Sequence, residues 1–454
     1  MTYAFTFDAS ACSGCKACQE ACKDKNQLPI GVMWRRVIEV SGGGWVQSGN
    51  AWTNDVFAYN LSIACNHCVH PKCAGVCPTD AYIVREDGIV YIDLSKCMGC
   101  GYCSWACPYN APRYNPDLGQ MAKCNFCFDN IDAGLPPACV AACPMRVLDF
   151  VSLASCPSPS ERGVAVRALW EIPASEHPFP LPANSRTEPH LAVKPHVAMG
   201  NDLEKKISNY EEIRPKHQKS EMPLVAFTLL VQMAVGVFWA AQWMTESIPL
   251  IPYLIIGACL GVGGFFSFAH LGAKRNAWRA PFHLKKSWLS REILLVGLFG
   301  AGWLAGFVLP EMKWVTSLLG IGLIYSMAKV YQLRPMPAWN TWRTTVGFFI
   351  TSALLGHLLM MNILQVTSVF TLGVVAVLLM GELWLTLSAK SHARWSVNKL
   401  RVVLIAGGIV GAGILTVAPN QVGMWTSLSI LLIVMVEEIV GRWLFYEALQ
   451  ERVI

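Results

Sequence analysis

The sequence predicts an α+β protein in two parts, a cysteine-rich N-terminal domain of short strands and helices followed by an all-α domain of eight transmembrane helices. Two observations lead there. Sixteen of the eighteen cysteines fall between Cys12 and Cys143, in four groups of four. The composition then changes abruptly within the 454 residues: the chain is polar and rich in Cys and Pro to about residue 200, and from Met222 long runs of Leu, Val, Gly, Phe and Trp dominate. Those runs follow one another too closely for a soluble core to absorb them. The expected organisation is a cysteine domain over 1–200, a linker over 201–221 and a membrane domain over 222–454.

The cysteine groups are Cys12, Cys15, Cys18, Cys22; Cys65, Cys68, Cys73, Cys77; Cys97, Cys100, Cys103, Cys107; and Cys124, Cys127, Cys139, Cys143. Each keeps a C-x₂-C…C-x₃-C rhythm. Disulfides suit this pattern poorly, because thiols two residues apart lie too close in sequence for a bridged framework. Zinc is the stronger rival, since C-x-x-C pairs also build zinc ribbons. Groups one and three, however, carry a third cysteine in the run C-x₂-C-x₂-C-x₃-C, and Pro108 follows the last cysteine of group three. That run is the bacterial ferredoxin signature for 4Fe-4S clusters, and Pro78 and Pro144 close groups two and four in the same way. The domain therefore reads as a double ferredoxin-like fold holding four clusters, a wire for electrons.

Between the groups, Ala81 to Asp93 alternates apolar residues on either side of Glu86-Asp87-Gly88 and predicts a hairpin beside a cluster loop. Ser41 to Asn50 reads as a flexible connection. Cys156, in a Ser-Pro loop, and Cys259, in an apolar helix, are expected to be free thiols.

In the second half, apolar segments at roughly 223–244, 249–271, 291–309, 313–333, 344–362, 366–387, 401–418 and 425–446 each approach the ~20 residues that span a bilayer. Nineteen basic residues lie on the side of the even-numbered connections, among them Lys274, Arg275, Arg279, Lys390, Arg401 and Arg442; the other side offers Lys313 alone. By the positive-inside rule both termini, and with them the cysteine domain, face the cytoplasm. The first cysteine arrives too early for a signal peptide, and Arg35-Arg36 is followed by no apolar export region. A reducing cytoplasm also suits cysteines that must remain thiolates. The formal charge of +6 is explained by these membrane flanks, so nucleic-acid binding is not expected. The charged stretch from Asp202 to Glu221 reads as a tether.

An electron wire joined to a membrane domain needs a lipid-soluble redox partner or a haem. His270 ends the second apolar segment and Glu292 opens the third, both at the cytoplasmic end. A histidine that hydrogen-bonds a quinone oxygen and a carboxylate that relays a proton form a sensible quinone site, catalytic in that sense. His357 reads as a core histidine, and Glu382, Glu437 and Glu438 as structural partners of basic residues such as Arg442. With only His270 and His357 in helices, the sequence argues against haem. It likewise shows no continuous chain of buried carboxylates for a proton pump.

The motifs CSGCKACQEACKDKNQL (Cys12 to Leu28) and CPTDAYIVREDGIVYIDLSKCMGCGYCSWACPYNAPRY (Cys77 to Tyr114) resemble the iron-sulfur subunit of the DMSO reductase family, as does TEPHLAVKPH (Thr187 to His196). HLGAKRNAWRA (His270 to Ala280), SWLSREI (Ser287 to Ile293), VYQLRPMPAW (Val330 to Trp339) and EEIVGRWLFY (Glu437 to Tyr446) resemble the anchor subunit of the same family. The resemblance implies a nested ligand pairing, with Cys12, Cys15, Cys18 and Cys143 on one cluster and Cys22, Cys124, Cys127 and Cys139 on its neighbour. The inner pair would be Cys65, Cys68, Cys73 with Cys107, and Cys77 with Cys97, Cys100, Cys103. A related nitrate reductase subunit has tryptophan where Cys100 stands and carries a three-iron cluster, so Cys100 implies four cubanes.

The resemblance further implies a separate molybdenum bis-pterin catalytic subunit, no molybdenum on this chain, and menaquinol oxidised at His270 and Glu292. The two subunits are normally separate polypeptides, whereas here they are fused. The expected function is electron transfer between the membrane quinone pool and the catalytic subunit for S-oxide or N-oxide reduction. Two alternatives stand beside it: the same wire run in reverse by a cytoplasmic quinone-reducing sulfite dehydrogenase, and a ferredoxin-docking module of a membrane pump.

Overall fold

In the computed structural model the described residues are 2–152, 167–168, 181–182, 186–200, 202–208, 221–366, 368–388, 395–417 and 419–447. Cys156, Lys390, Arg394, Arg452 and most of the expected tether lie outside them. The chain divides into two compact units, Met1–Lys219 with Arg275–Ala277, and Ser220–Lys274 with Trp278–Arg452.

The first unit begins with β1 (Tyr3–Asp8), whose Phe5 and Phe7 are buried. After it come α1 (Ala17–Lys25), β2 (Arg36–Gly42), β3 (Trp45–Ser48), β4 (Ala51–Asn54) and β5 (Phe57–Ile63). The short elements α2 (Lys72–Val76), β6 (Tyr82–Val84), β7 (Val90–Ile92), α3 (Tyr102–Ala106), β8 (Arg113–Asn115) and β9 (Gln120–Ala122) form the middle. Then follow α4 (Phe128–Asp132), α5 (Ala138–Ala141), β10 (Leu148–Ser152), β11 (Arg167–Ala168), β12 (Leu191–Lys194) and β13 (Lys205–Ile207).

Residues distant in sequence are drawn together by the sheets. β1 pairs antiparallel with β10 (Tyr3↔Ser152) and parallel with β12 (Phe5↔Leu191), which places the last cysteine group beside the first. The stretch around Thr187 to His196 is thereby tied in, and Thr187 is buried with its hydroxyl 3.1 Å from that of Tyr109. β2 and β5 form a second antiparallel pair, from Arg36↔Ile63 to Gly42↔Phe57. One continuous core joins Phe5, Phe7, Ile38, Leu61, Ile63 and Phe126 to several of the cysteines.

The predicted hairpin over Ala81 to Asp93 is present as β6 and β7, with Tyr82 opposite Ile92. A similar ribbon, β8 and β9, flanks the third group. The expected flexible connection over Ser41 to Asn50 is instead ordered. It contains the end of β2, and β3 pairs with β4 from Trp45↔Asn54 to Ser48↔Ala51. Aromatic and β-branched residues at Trp45, Val46, Trp52 and Thr53 favour strand, and Gly49 takes the left-handed turn at φ 63° that closes it.

Among the described residues the second unit has eight α-helices: α6 (Met222–Met244), α7 (Leu250–Ala269), α8 (Trp288–Ala305), α9 (Met312–Tyr331), α10 (Trp342–Leu364), α11 (Val369–Ser388), α12 (Trp395–Val417) and α13 (Pro419–Glu447). Seven, α6 to α12, are long and apolar enough to cross a membrane; α13 carries Glu437, Glu438 and Arg442. The chain is thus a multi-pass membrane protein. Its central helix is α6, with Val231, Ala234, Val235, Val237 and Ala241 fully buried. It packs most closely on α10, where Gly236 and Gly356 let the two backbones touch.

Candidate functional site: a thiol-lined wire and a histidine at a helix end

The seventeen described cysteines are all free of disulfides. Among the described residues no set of His, Cys, Asp and Glu converges on a point as a single ion requires. The thiols ring wider spaces instead, as in the cavity walled by Cys12, Cys15, Cys18 and Cys143 together with Phe7, Val37 and Leu148. A metal-sulfide cubane, which stands between its ligands, fits this donor set and spacing.

Each loop is built the same way. The residue just before the second cysteine has a positive φ in all four groups: Gly14 (70°), His67 (42°), Gly99 (72°) and Phe126 (62°). This turn swings successive N–H groups toward one side, the arrangement that makes a nest for anionic sulfur. Only glycine fits at the third group, where a Cβ on Gly99 would stand 2.1 Å from the Gly119 carbonyl oxygen. At the other extreme His67 and Phe126 hold a conformation unfavourable for side-chain-bearing residues. They are fixed by packing: Phe126 stacks on Phe5 at 4.1 Å and meets the edge of His67 at 5.2 Å. His67 Nδ1 also accepts a hydrogen bond from Val90 N at 3.0 Å.

The third and fourth cysteines of each group fall on or just after a short helix, where the i, i+4 spacing brings them to one face. Thiols far apart in sequence are electrostatic neighbours, and some neighbourhoods overlap, Cys18 lying near Cys139 as well as Cys143 and Cys124 near Cys65 as well as Cys22. Cys12 interacts with Cys15, Cys18 and Cys143, and Cys22 with Cys127 and Cys139, to which Cys124 is also close. Cys73 interacts with Cys65, Cys68 and Cys107, and Cys103 with Cys77, Cys97 and Cys100. Burial, with a contribution from neighbouring thiols, pushes Cys12, Cys22, Cys73, Cys103 and Cys124 up, Cys22 to about 12.

Buried cations lie among them, Arg35 and Lys123 reaching several thiols each and Arg36 reaching Cys107. Arg35 is within electrostatic reach of Cys18, Cys22, Cys124 and Cys139, stands 4.6 Å from the Phe5 ring centroid and donates to Ser62 Oγ at 3.2 Å. Lys123 Nζ lies 3.3 Å from Cys65 Sγ and donates to the Cys124 carbonyl at 3.0 Å and to the Val90 carbonyl. Burial works against the Lys123 charge, but Cys65, Cys73 and Cys124 outweigh it and hold its pKa above the ordinary lysine value. Sequence reasoning misses these cations. The available signal is Lys123 lying next to Cys124, but only the fold reveals the burial that makes such a charge count.

In the second unit, His270 caps the C-terminus of α7 and is 9% exposed. Because α6 and α7 form a tight helical hairpin, the start of α6 lies at the same end. There Glu221 caps α6, its Oε2 3.9 Å from His270 Nε2. Glu292 is buried in the second turn of α8, after the Ser287 cap that accepts from Ser290 N. Its electrostatic neighbours include Tyr331, which ends α9, and Tyr446 of α13; the two tyrosine hydroxyls contact each other. Tyr446 senses Glu221 as well as Glu292, and Arg442 stands beside the tyrosines with its Nη2 2.8 Å from Gln232 Oε1. The structure therefore gathers His270, Glu221, Tyr446, Tyr331 and Glu292 at one end of the bundle.

The sequence assigns Glu221 to the tether. The proline following at 223, typical of a helix start, is the signal that it begins α6. His357 lies within α10, and Cys259 is a buried thiol of α7. Glu382 and Glu437 meet Arg401, at 2.9 and 2.7 Å, rather than Arg442. Glu438 accepts from Thr351 Oγ1 at 3.0 Å.

Comparison with known proteins finds a separate family in each half of the chain. Residues 56–153 match the 4Fe-4S dicluster domain family, and residues 217–395 match the DMSO reductase anchor subunit (DmsC) family. Over 195 residues the sequence is 43% identical to a polypeptide of the anaerobic dimethyl sulfoxide reductase of Escherichia coli, covering 43% of this chain and 89% of that one. Over 214 residues it is 40% identical to the polypeptide of the same name from Haemophilus influenzae, covering 46% and 98%. It is also similar to the thiosulfate reductase electron transfer subunit PhsB of Salmonella typhi, 42% identical over 149 residues, covering 33% and 74%. The chain belongs to the DMSO reductase family, as an iron-sulfur electron-transfer subunit fused to a DmsC-type membrane anchor.

Proposed function

We propose that this chain carries electrons between membrane quinol and a separate molybdenum bis-pterin subunit that reduces an S-oxide or N-oxide. The observation that carries the proposal is the union in one polypeptide of sixteen thiols in four like-built loops with an anchor domain whose buried histidine sits at a helix end. Four 4Fe-4S clusters would be held in the nested pattern, Cys12, Cys15, Cys18 with Cys143; Cys22 with Cys124, Cys127, Cys139; Cys65, Cys68, Cys73 with Cys107; and Cys77 with Cys97, Cys100, Cys103. The electrostatic neighbourhoods of the thiols support this order. When bound, such clusters supply one-electron transfer between adjacent centres. Arg35 and Lys123 would offset their negative charge, and the left-handed turns would present backbone N–H groups to their sulfur.

Menaquinol or another quinone would bind at His270, with Glu292 in the same site. The cluster domain and both termini would face the cytoplasm, as the basic flanks indicate. Protons released by quinol and consumed at the catalytic subunit would then stay on one side, making the reaction electroneutral.

The test is to purify the complex anaerobically from its native membrane, identify its partner chains, and assay quinol with DMSO and then sulfite with quinone. Quinol-dependent DMSO reduction beside a pterin-containing chain supports the proposal. Sulfite-dependent quinone reduction alone would reverse the wire. In the same complex His270→Ala is expected to abolish quinol-driven cluster reduction while dithionite still reduces the clusters; unchanged quinol oxidation removes His270 from the site.

A further inference from the structure

We propose that Glu221 is the base of the quinone site, holding one quinol hydroxyl jointly with His270 and taking its proton. This rests on the reading of His270 as a quinone ligand and adds a residue that the sequence places in a tether.

The geometry is specific. Glu221 Oε2 and His270 Nε2 are 3.9 Å apart, and the two side chains are 15% and 3% exposed. That separation is too long for a hydrogen bond between them. A single oxygen lying off the 3.9 Å line nevertheless comes within about 2.8 Å of both atoms, an ordinary hydrogen-bond length. A quinol hydroxyl has the matching chemistry: it donates its one proton to the carboxylate and accepts from the imidazole N–H. A hydroxyl so held cannot be mimicked by an apolar group, because both protein atoms are buried.

The two helix ends reinforce these roles. Glu221 caps the N-terminus of α6, where the helix dipole favours negative charge, and His270 caps the C-terminus of α7, where it favours positive charge. Among the described residues, the titratable and charged groups around Glu221 include His270 from α7 and Tyr446 from α13, and near Tyr446 stand Tyr331, Glu292 and Arg442. Glu292 is placed against the tyrosine pair, whereas Glu221 is the carboxylate in contact with His270.

In the step, the quinol O–H bond breaks, the proton moves to Glu221 Oε2, and the electron leaves to the oxidised iron-sulfur wire proposed above. The second hydroxyl proton then passes to water and the second electron to the same wire, which completes quinone, two protons and two electrons. Glu221 then gives up its proton to water at the membrane surface.

The experiment uses the full-length chain with its clusters in detergent, a water-soluble naphthoquinol as donor, a one-electron dye in excess that reoxidises the clusters, and protein-dependent dye reduction as readout. Glu221→Gln is expected to lower kcat about 100-fold, the loss typical for removing a positioned base, with KM little changed and with the rise of rate with pH abolished. Glu221→Asp, which withdraws the carboxylate by one methylene, is expected to lose about 10-fold in kcat and to keep the pH-dependent rise. Dithionite reduction verifies intact clusters in both. Wild-type kcat in either variant, with His270→Ala inactive, overturns the role of Glu221 and leaves the quinone site standing. Wild-type kinetics in all three variants would instead overturn the site itself.

Discussion

Lys123 Nζ lies 3.3 Å from Cys65 Sγ, a buried ammonium held against a thiol of the second cysteine group while its own chain neighbour Cys124 opens the fourth. A charge in that position acts on two cysteine groups at once. In a low-dielectric interior its field is weakly screened, so it stabilises whichever state carries more negative charge.

Lys123→Met keeps the volume and removes the charge. The reduced cluster, one electron more negative, then loses more stabilisation than the oxidised one. Reduction potentials of the clusters nearest Cys65 and Cys124 should fall by roughly 60 mV, a tenfold change for a one-electron couple. Redox titration followed by EPR measures this. Potentials that do not move would show that the ammonium is neutralised locally by the Val90 and Cys124 carbonyls.

Nested pairing predicts which cysteines share a fate. Cys15→Ser and Cys143→Ser are 128 positions apart, yet Cys12 has both Cys15 and Cys143 as neighbours. Each variant should lose about four irons, and the double variant no more than either single, the non-additivity of residues acting as one unit. Loss of about eight irons in the double variant would place Cys143 on a different cluster.

The crossing of α6 and α10 depends on two missing methyl groups. A Cβ on Gly236 would stand 1.8 Å from the Ser352 carbonyl oxygen, and one on Gly356 1.9 Å from the Gly236 carbonyl carbon. Backbone cannot yield as a side chain does, so Gly356→Ala should destabilise the bundle by about 3 kcal/mol, the upper range for overpacking. Gly261→Ala, with nothing within 4 Å of the new methyl, is the control. Thermal aggregation of the two variants in detergent compares them, and equal midpoints would show that the helices separate readily.

Arg401 is clamped between Glu382 and Glu437, joining α11, α12 and α13. Arg401→Met would leave two buried carboxylates without their guanidinium, a loss of roughly 3–5 kcal/mol. Unfolding in graded denaturing detergent should show it. If Arg401→Met matches the parent, the pair's desolvation cost equals its attraction and the clamp sets register alone.

The cysteine inventory, the α+β domain followed by membrane helices and the hairpin at Ala81 to Asp93 are legible along the chain, because each is a local signal of spacing, periodicity or composition. Local signals mislead at Ser41 to Asn50, where glycines suggest flexibility but β3 and β4 find each other across Gly49. Tertiary structure alone decided which thiols stand together, since Cys143 reaches Cys12 only through the pairing of β1 with β10. It also decided that Arg35 and Lys123 are buried among thiols, that Arg401 rather than Arg442 serves Glu382 and Glu437, and that Glu221 begins a helix facing His270. The physical reason is common to all of these. A charge matters through its burial and its neighbours across space, and neither is written in the order of residues along the chain.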